Sequence, residues 1–226
     1  VEAIEKNSNF KVSTLTTSSK LDLNALNVRI ETLETLFKEY NISDNVLYSE
    51  EAKLRFMSGE RTLGKISYRN KRTAGSSHFE RKYEGVQITE MNFGHKSGAF
   101  SNHSFDPEGT IPRWFSALDE ANLDKGTTVH EFAHVMNMTE AELIKGSKGA
   151  EYVGKLRNIR SEYTKEIFEL NQAGDKKGVY KLHLGKYAHT NLDEFHAEAF
   201  TEYKLKSNPS KYAQKVGELI DEYFKK

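Results

Sequence analysis

The residues best able to do chemistry are His130-Glu131-Phe132-Ala133-His134. On an α-helix, positions 130 and 134 lie one turn apart on one face, so both imidazoles can reach one metal ion. Glu131 projects about 100° round from His130 and is poorly placed to join the same ligand set. It can instead hold a water bound to that metal, as in a zinc hydrolase helix. The pattern arises by chance in on the order of a few per cent of chains this long, and the alternative is a surface helix with two unrelated histidines. The neighbours oppose that alternative. Val129, Phe132, Ala133, Val135 and Met136 make the segment apolar and predict its burial. Two imidazoles and a carboxylate are costly in a buried helix without partners, and a metal supplies the partner. Thr128 and Glu131 also match a capping box, a use that would divert the carboxylate from chemistry.

A catalytic zinc needs a third protein ligand and an open position. A third histidine six residues beyond His134 is excluded, because position 140 is Glu140 and position 137 is Asn137, not glycine. A glutamate after eighteen intervening residues is excluded by Val153, and Glu151 nearby has no supporting pattern. Glu140 and Glu142 follow Thr139, a candidate cap, and read as solvated. The better source is Tyr187-Ala-His-Thr-Asn-Leu-Asp-Glu194-Phe-His-Ala-Glu198-Ala-Phe200. Asn191 can cap a helix starting at Leu192. On it Glu194 and Glu198 share a face with the small residues Ala197 and Thr201, which would let another helix approach. Glu194 would ligate the metal. Glu198 could accept a hydrogen bond from the far nitrogen of a ligating histidine. Ordinary solvent-facing acids remain the alternative for both.

The block from Tyr187 to Phe200 resembles the end of the protease domain of the lethal-factor-like zinc endopeptidases, which carry a Tyr-x-x-Thr-Asn-x-x-Glu-Phe-x-Ala-Glu-Ala-Phe run. The resemblance covers roughly residues 125–226. Wider relatives include secreted bacterial Pro-Pro endopeptidases and zincin-like segments of phage minor head proteins. It implies His130, His134 and Glu194 as Zn2+ ligands, Glu131 as general base, and Tyr187 as the tyrosine beside the metal. It also implies Glu198 as the acid behind a ligand. His189 and His196 depart from the family pattern. His196 lies about 200° from Glu194 on the helix and should not reach the same metal. His189 is close enough in sequence to Tyr187 to affect it, or is exposed.

The implied reaction is peptide hydrolysis, with Glu131 taking a proton from water and passing it to the leaving nitrogen. Tyr187 would donate to the developing oxyanion, worth about 3 kcal/mol by analogy with other oxyanion donors. The partner is a protein or peptide substrate, extended along a sheet edge for which Gly85–Phe93 is the candidate strand. The rival reading is a catalytically inactive zincin-like module that binds or assembles within a larger toxin or phage particle. A structural zinc domain fits less well, because such sites use four protein ligands.

The elements that must position these residues follow from periodicity. Leu26, Ile30, Leu33 and Phe37 predict a helix over 24–40 with that stripe inward. Thr62–Arg69 and Gly85–Phe93 read as strands. Asn92–Pro112, with His95, Phe100, His103 and Phe105, reads as a loop able to line the cleft, and Trp114 and Phe115 as core. Helices are expected at 128–137, 150–171, 192–206 and 210–224, with Asn208-Pro209 separating the last two. The expected class is α+β: a zincin-like domain with a small mixed β-sheet packed on the catalytic helix and a mainly helical C-terminal half. Residues 1–20 read as a loose lead-in or linker. Residues 21–226 read as one domain, divided into 21–124 with the first helix and sheet and 125–226 with the metal site.

Composition bounds the rest. The 226 residues carry 33 Lys plus Arg and 33 Asp plus Glu, so a nucleic-acid footprint is absent. No apolar run approaches a membrane span. Mean hydropathy is −0.70, but 13 Phe and 11 Tyr argue against disorder. With no cysteine, disulfides, thiol catalysis and thiolate zinc sites are excluded. The start at Val1 suggests a domain of a longer protein with further domains. A secreted toxin and a phage component would look alike in these features, so localisation is left open.

Overall fold

The structure is a computed structural model. It describes residues 2–7, 14–17, 23–42, 53–58, 64–72, 83–95, 122–143 and 147–226, with side chains at 2, 5–6, 23–42, 122–137 and 147–226. The helices are α1 (Glu2–Asn7), α2 (Leu23–Glu39), α3 (Leu123–Leu143), α4 (Ser147–Gln172), α5 (Lys176–Leu182), α6 (Leu192–Leu205) and α7 (Lys211–Phe224). A 3-10 turn spans Tyr187–His189 between α5 and α6.

The core is helix on helix. Of the residues with described side chains, 83% are helical, and none of them lies in a strand. That corrects the expected α+β class. The buried cluster is built from α2, α3, α4, α6 and α7, with Val179, Leu184 and Ala188 from the segment between α4 and α6. The physical reason is α6. Every residue from Phe195 to Glu202 is buried, so this helix is covered all round by α3, α4 and α7 rather than laid against a sheet. The strand segments are described by backbone pairing alone: β1 (Thr14–Thr17), β2 (Lys53–Ser58), β3 (Gly64–Arg72) and β4 (Tyr83–His95), in the order β1-β2-β4-β3. β4 is hydrogen-bonded on both sides, parallel to β2 and antiparallel to β3. Within Gly85–Phe93, residues 90–93 are paired on both sides, whereas residues 85–88 pair with β3 alone among the described residues, so the expected edge is closed only over its second half. The residues 1–20 contain α1 and β1.

Helix ends are set by the expected chemistry where side chains are described. Asn191 caps α6, its Oδ1 accepting from Glu194 N–H at 2.8 Å. Ser210 caps α7 by accepting from Ala213 N–H. One face of α7 buries Tyr212, Ala213, Val216, Leu219, Ile220 and Phe224, each large side chain contributing roughly 2 kcal/mol. Gly217 is required by close approach: a Cβ there would overlap the Tyr203 ring on α6.

Two boundaries differ from expectation and matter for the site. α3 starts at Leu123, five residues before Thr128, and continues through Thr139. Thr128 is thus mid-helix, its hydroxyl donating to Asp124 O at 2.7 Å, and the capping-box use of Thr128 and Glu131 is excluded. The inward stripe of α2 is rotated by one residue. Ala25, Arg29, Thr32, Leu33, Leu36 and Phe37 are buried, while Leu26 and Ile30 are only half-buried. The cause is Arg29, drawn fully inside by Asp124 of α3. Of the cleft loop expected over Asn92–Pro112, residues 92–95 belong instead to β4, paired with β2 and β3; the rest of it, with Trp114 and Phe115, lies outside the described residues.

Candidate metal centre

α3 is placed before it presents anything. Arg29 Nε and Nη2 donate to Asp124 Oδ1 at 3.0 and 2.6 Å. This joins α2 to the first turn of α3 through a buried guanidinium. Phe132 then locks the same pair of helices, meeting Phe37 edge-on at 5.1 Å between ring centroids. Val129, Ala133, Val135 and Met136 are buried, which leaves one strip of α3 turned to α6.

On that strip His130 and His134 stand one turn apart, with ring centroids 5.0 Å from each other. Glu194, in the first turn of α6, faces both. Its Oε2 lies 3.1 Å from His130 Nε2 and 3.5 Å from His134 Nε2. The ligand atoms of His130, His134 and Glu194 all fall within 4.8 Å of one another, the one such group among the described residues. This cluster could hold a metal ion. The fit can be tested on spacing: a tetrahedral zinc with bonds of about 2.0–2.1 Å separates neighbouring ligand atoms by roughly 3.3 Å. The observed 3.1 and 3.5 Å bracket that value.

Glu198, one turn further along α6, brings Oε1 to 3.0 Å from His130 Nδ1. Through this short contact and its charge Glu198 favours the protonated imidazole. His130 is thus held between two carboxylates. Burial opposes its charge, but Glu194 and Glu198 outweigh burial and raise its pKa to about 10. Glu194 shows the reciprocal effect. Burial would raise its pKa, and His130 and His134 hold it well below the carboxylate range instead. The pocket between the two carboxylates favours a positive charge, and a bound divalent ion would displace the imidazole proton.

Glu131 is 7% exposed. Burial raises its pKa, partly offset by His130 and His134, with Glu194 adding to the rise and Arg29 opposing it. A carboxyl moved towards neutrality is suited to exchanging protons with water. Tyr187, in the 3-10 turn, stacks on His130 with centroids 5.9 Å apart and planes 23° apart. Burial, then Glu194, pushes its phenol up to about 12, so it stays protonated and able to donate.

The remaining candidates fall elsewhere. Glu151 is exposed on α4, pairing with Lys155 at 3.0 Å, and does not belong to the cluster. Side chains of Glu140 and Glu142 lie outside the described residues. His196 is fully buried with Nε2 2.8 Å from the Tyr152 hydroxyl, and burial followed by the charges of His134 and His130 lowers its pKa to about 3. His189 turns to Tyr163 and His183. Sequence reasoning missed Arg29 and Asp124. Their signal was present: Arg29 stands four residues from both Ala25 and Leu33, on the inward stripe.

Among the described residues no helix is long and apolar enough to cross a membrane. Comparison with protein-family models, with curated proteins and with solved structures finds no match to the chain.

Proposed function

We propose that the protein is a zinc-dependent endopeptidase. The observation that carries the reading is the convergence of His130, His134 and Glu194 from two helices, with Glu131 buried on the histidine-bearing helix. The spacing suits zinc, and a donor set of two imidazoles and one carboxylate leaves a position open for water or substrate. When bound, zinc supplies a Lewis acid that acidifies water and polarises the scissile carbonyl.

The chain's own residues do the rest. Glu131 takes the water proton on its carboxylate and returns it to the leaving nitrogen. Tyr187 keeps its proton and donates to the carbonyl oxygen as negative charge develops there. Glu198 fixes the His130 ring from behind, so that Nε2 rather than Nδ1 faces the cluster. The sequence resemblance to the lethal-factor-like endopeptidases points the same way, and the substrate class is a protein or peptide.

The test is zinc content by elemental analysis on protein purified without a metal-affinity tag, followed by a peptide-library digest. About one zinc per chain is expected in the wild type, with a sharp loss in Glu194→Ala and cleavage only by the wild type. No zinc after reconstitution overturns the reading. Zinc without cleavage of any peptide leaves a binding or assembly module.

A further inference from the structure

The segment joining α5 to α6 carries Tyr187 and two histidines that the proposed reaction does not use, His183 and His189. Leu184 is fully buried, and its N–H donates to the Tyr163 phenol oxygen at 3.2 Å. The same phenol lies 3.1 Å from His189 Nε2. One hydroxyl on α4 therefore joins both sides of the segment that brackets Tyr187. Gly185 turns the chain between them in the left-handed region, φ 85°, where a side chain would be strained. Its N–H donates to His183 Nδ1 at 2.9 Å.

That last bond fixes the protons. An amide N–H only donates, so His183 Nδ1 presents a lone pair and the ring proton sits on Nε2. His183 Nε2 lies 3.3 Å from His189 Nε2, which must then accept. The proton of His189 is accordingly on Nδ1, and the single lone pair of its Nε2 is shared between His183 and the Tyr163 hydroxyl. A metal bridging the two Nε2 atoms would need a lone pair on both, and Gly185 denies His183 that tautomer. The arrangement is a proton-ordered network, not a second metal site.

We propose that Tyr163, His183 and His189 are positioning residues that clasp the Tyr187–His189 turn and so hold the Tyr187 ring over His130. The kinetic consequence rests on the endopeptidase reading. The geometric consequence does not. A three-residue turn closed by His189 N–H to Lys186 O at 3.2 Å and Thr190 N–H to Tyr187 O at 3.0 Å is too short to orient a side chain by itself. The buried Ala188 anchors its backbone, Arg160 donates to His189 O at 3.3 Å and Glu194 meets the Tyr187 phenol, and the clasp adds its constraint to these.

The test combines nitrogen-edited NMR of the histidines with kinetics, using the full chain and the variants Tyr163→Phe and His183→Asn. In the wild type, His183 should carry its proton on Nε2 and His189 on Nδ1, with a cross-relaxation peak between the Tyr187 and His130 rings. Each variant should weaken that peak and leave zinc content unchanged. In zinc-loaded protein each should lower kcat roughly ten- to a hundredfold at constant KM, the cost expected of a misplaced group. Neither should reduce kcat further in a Tyr187→Phe background. A His183 proton on Nδ1, an unchanged ring contact in the variants, or an undiminished loss in that background overturns the proposal. If Tyr163→Phe fails to fold, His183→Asn decides the matter. If the zinc-loaded wild type cleaves nothing, the endopeptidase reading fails separately, and the tautomers and ring contact still decide the clasp.

Discussion

Glu198 and Glu202 follow Glu194 along α6 at intervals of four, and each is 1% exposed. Their surroundings differ. Glu198 meets an imidazole nitrogen at 3.0 Å. Glu202 accepts from the Ser210 backbone N–H at 2.7 Å, and Lys206 Nζ stands 3.2 Å from its other oxygen. The first contact ends on a group that can exchange a proton for a metal. The second ends on a peptide group and a lysine that tie the end of α6 to the cap of α7. A buried carboxylate therefore reports function only through the kind of partner it meets. Burial alone marks both as costly and neither as catalytic.

That contrast can be pressed hardest at Glu131. Glu131→Gln should keep zinc and fold and lose hydrolysis by roughly 10²- to 10⁴-fold, read as kcat on a library-derived peptide. Full activity in that variant would remove Glu131 from the proton-transfer role. Glu198→Gln should weaken zinc binding about 10- to 100-fold, measured by competition with a chelator, because the histidine loses its anionic support. Glu202→Ala should do the reverse. Zinc affinity should hold, while stability falls by about 1.5–3 kcal/mol as the Ser210 N–H loses a charged acceptor, read by thermal unfolding. Equal effects of the two variants on zinc would erase the distinction between the two carboxylates.

The smallest effect is expected with pH. Burial first, then the neighbouring His189 and Lys186, which oppose a second positive charge, lower the His183 pKa to about 4. The unfolded chain binds that proton near pH 6.5, before the folded chain does. The stability His183 contributes is thus fully present above pH 6.5 and is lost as pH falls towards about 4. Metal-free protein should lose stability over that window, with His196 adding a parallel loss, and His183→Asn should shrink the drop by about 2 kcal/mol. A wild-type profile level between pH 6.5 and 4 would contradict it.

Much of the site was legible in the chain. The spacing of His130 and His134, the pair Glu194 and Glu198, and Asn191 as a cap each rest on one helix, where i and i+4 positions fix who shares a face. The meeting of α3 with α6 depended on more distant facts. The small residues Ala197 and Thr201 hinted at a close approach, but the rotation of α2 by Arg29 could not be read from an apolar stripe. The helical core was hidden for a similar reason. Strand-like segments stand out by their β-branched residues, yet the described core is closed by Phe195, Phe200 and their helical neighbours. That β4 is paired on both sides only from Glu90 onward is a matter of pairing partners, which alternation along one strand does not encode.

The tie between the end of α2 and the residues after α7 bears on how the protein folds. Asn41 N–H donates to Phe224 O at 2.6 Å, Lys226 N–H donates to Glu39 O at 2.9 Å, and Tyr40 bridges Lys225. These bonds close a loop of nearly the whole sequence, so they cannot form until the helices between them have collapsed. Docking of α2 is accordingly a late event, and its parting from α7 an early one on the way to the unfolded chain. Because α2 also carries Arg29, the helix bearing His130 acquires its final register only when this last seam has shut.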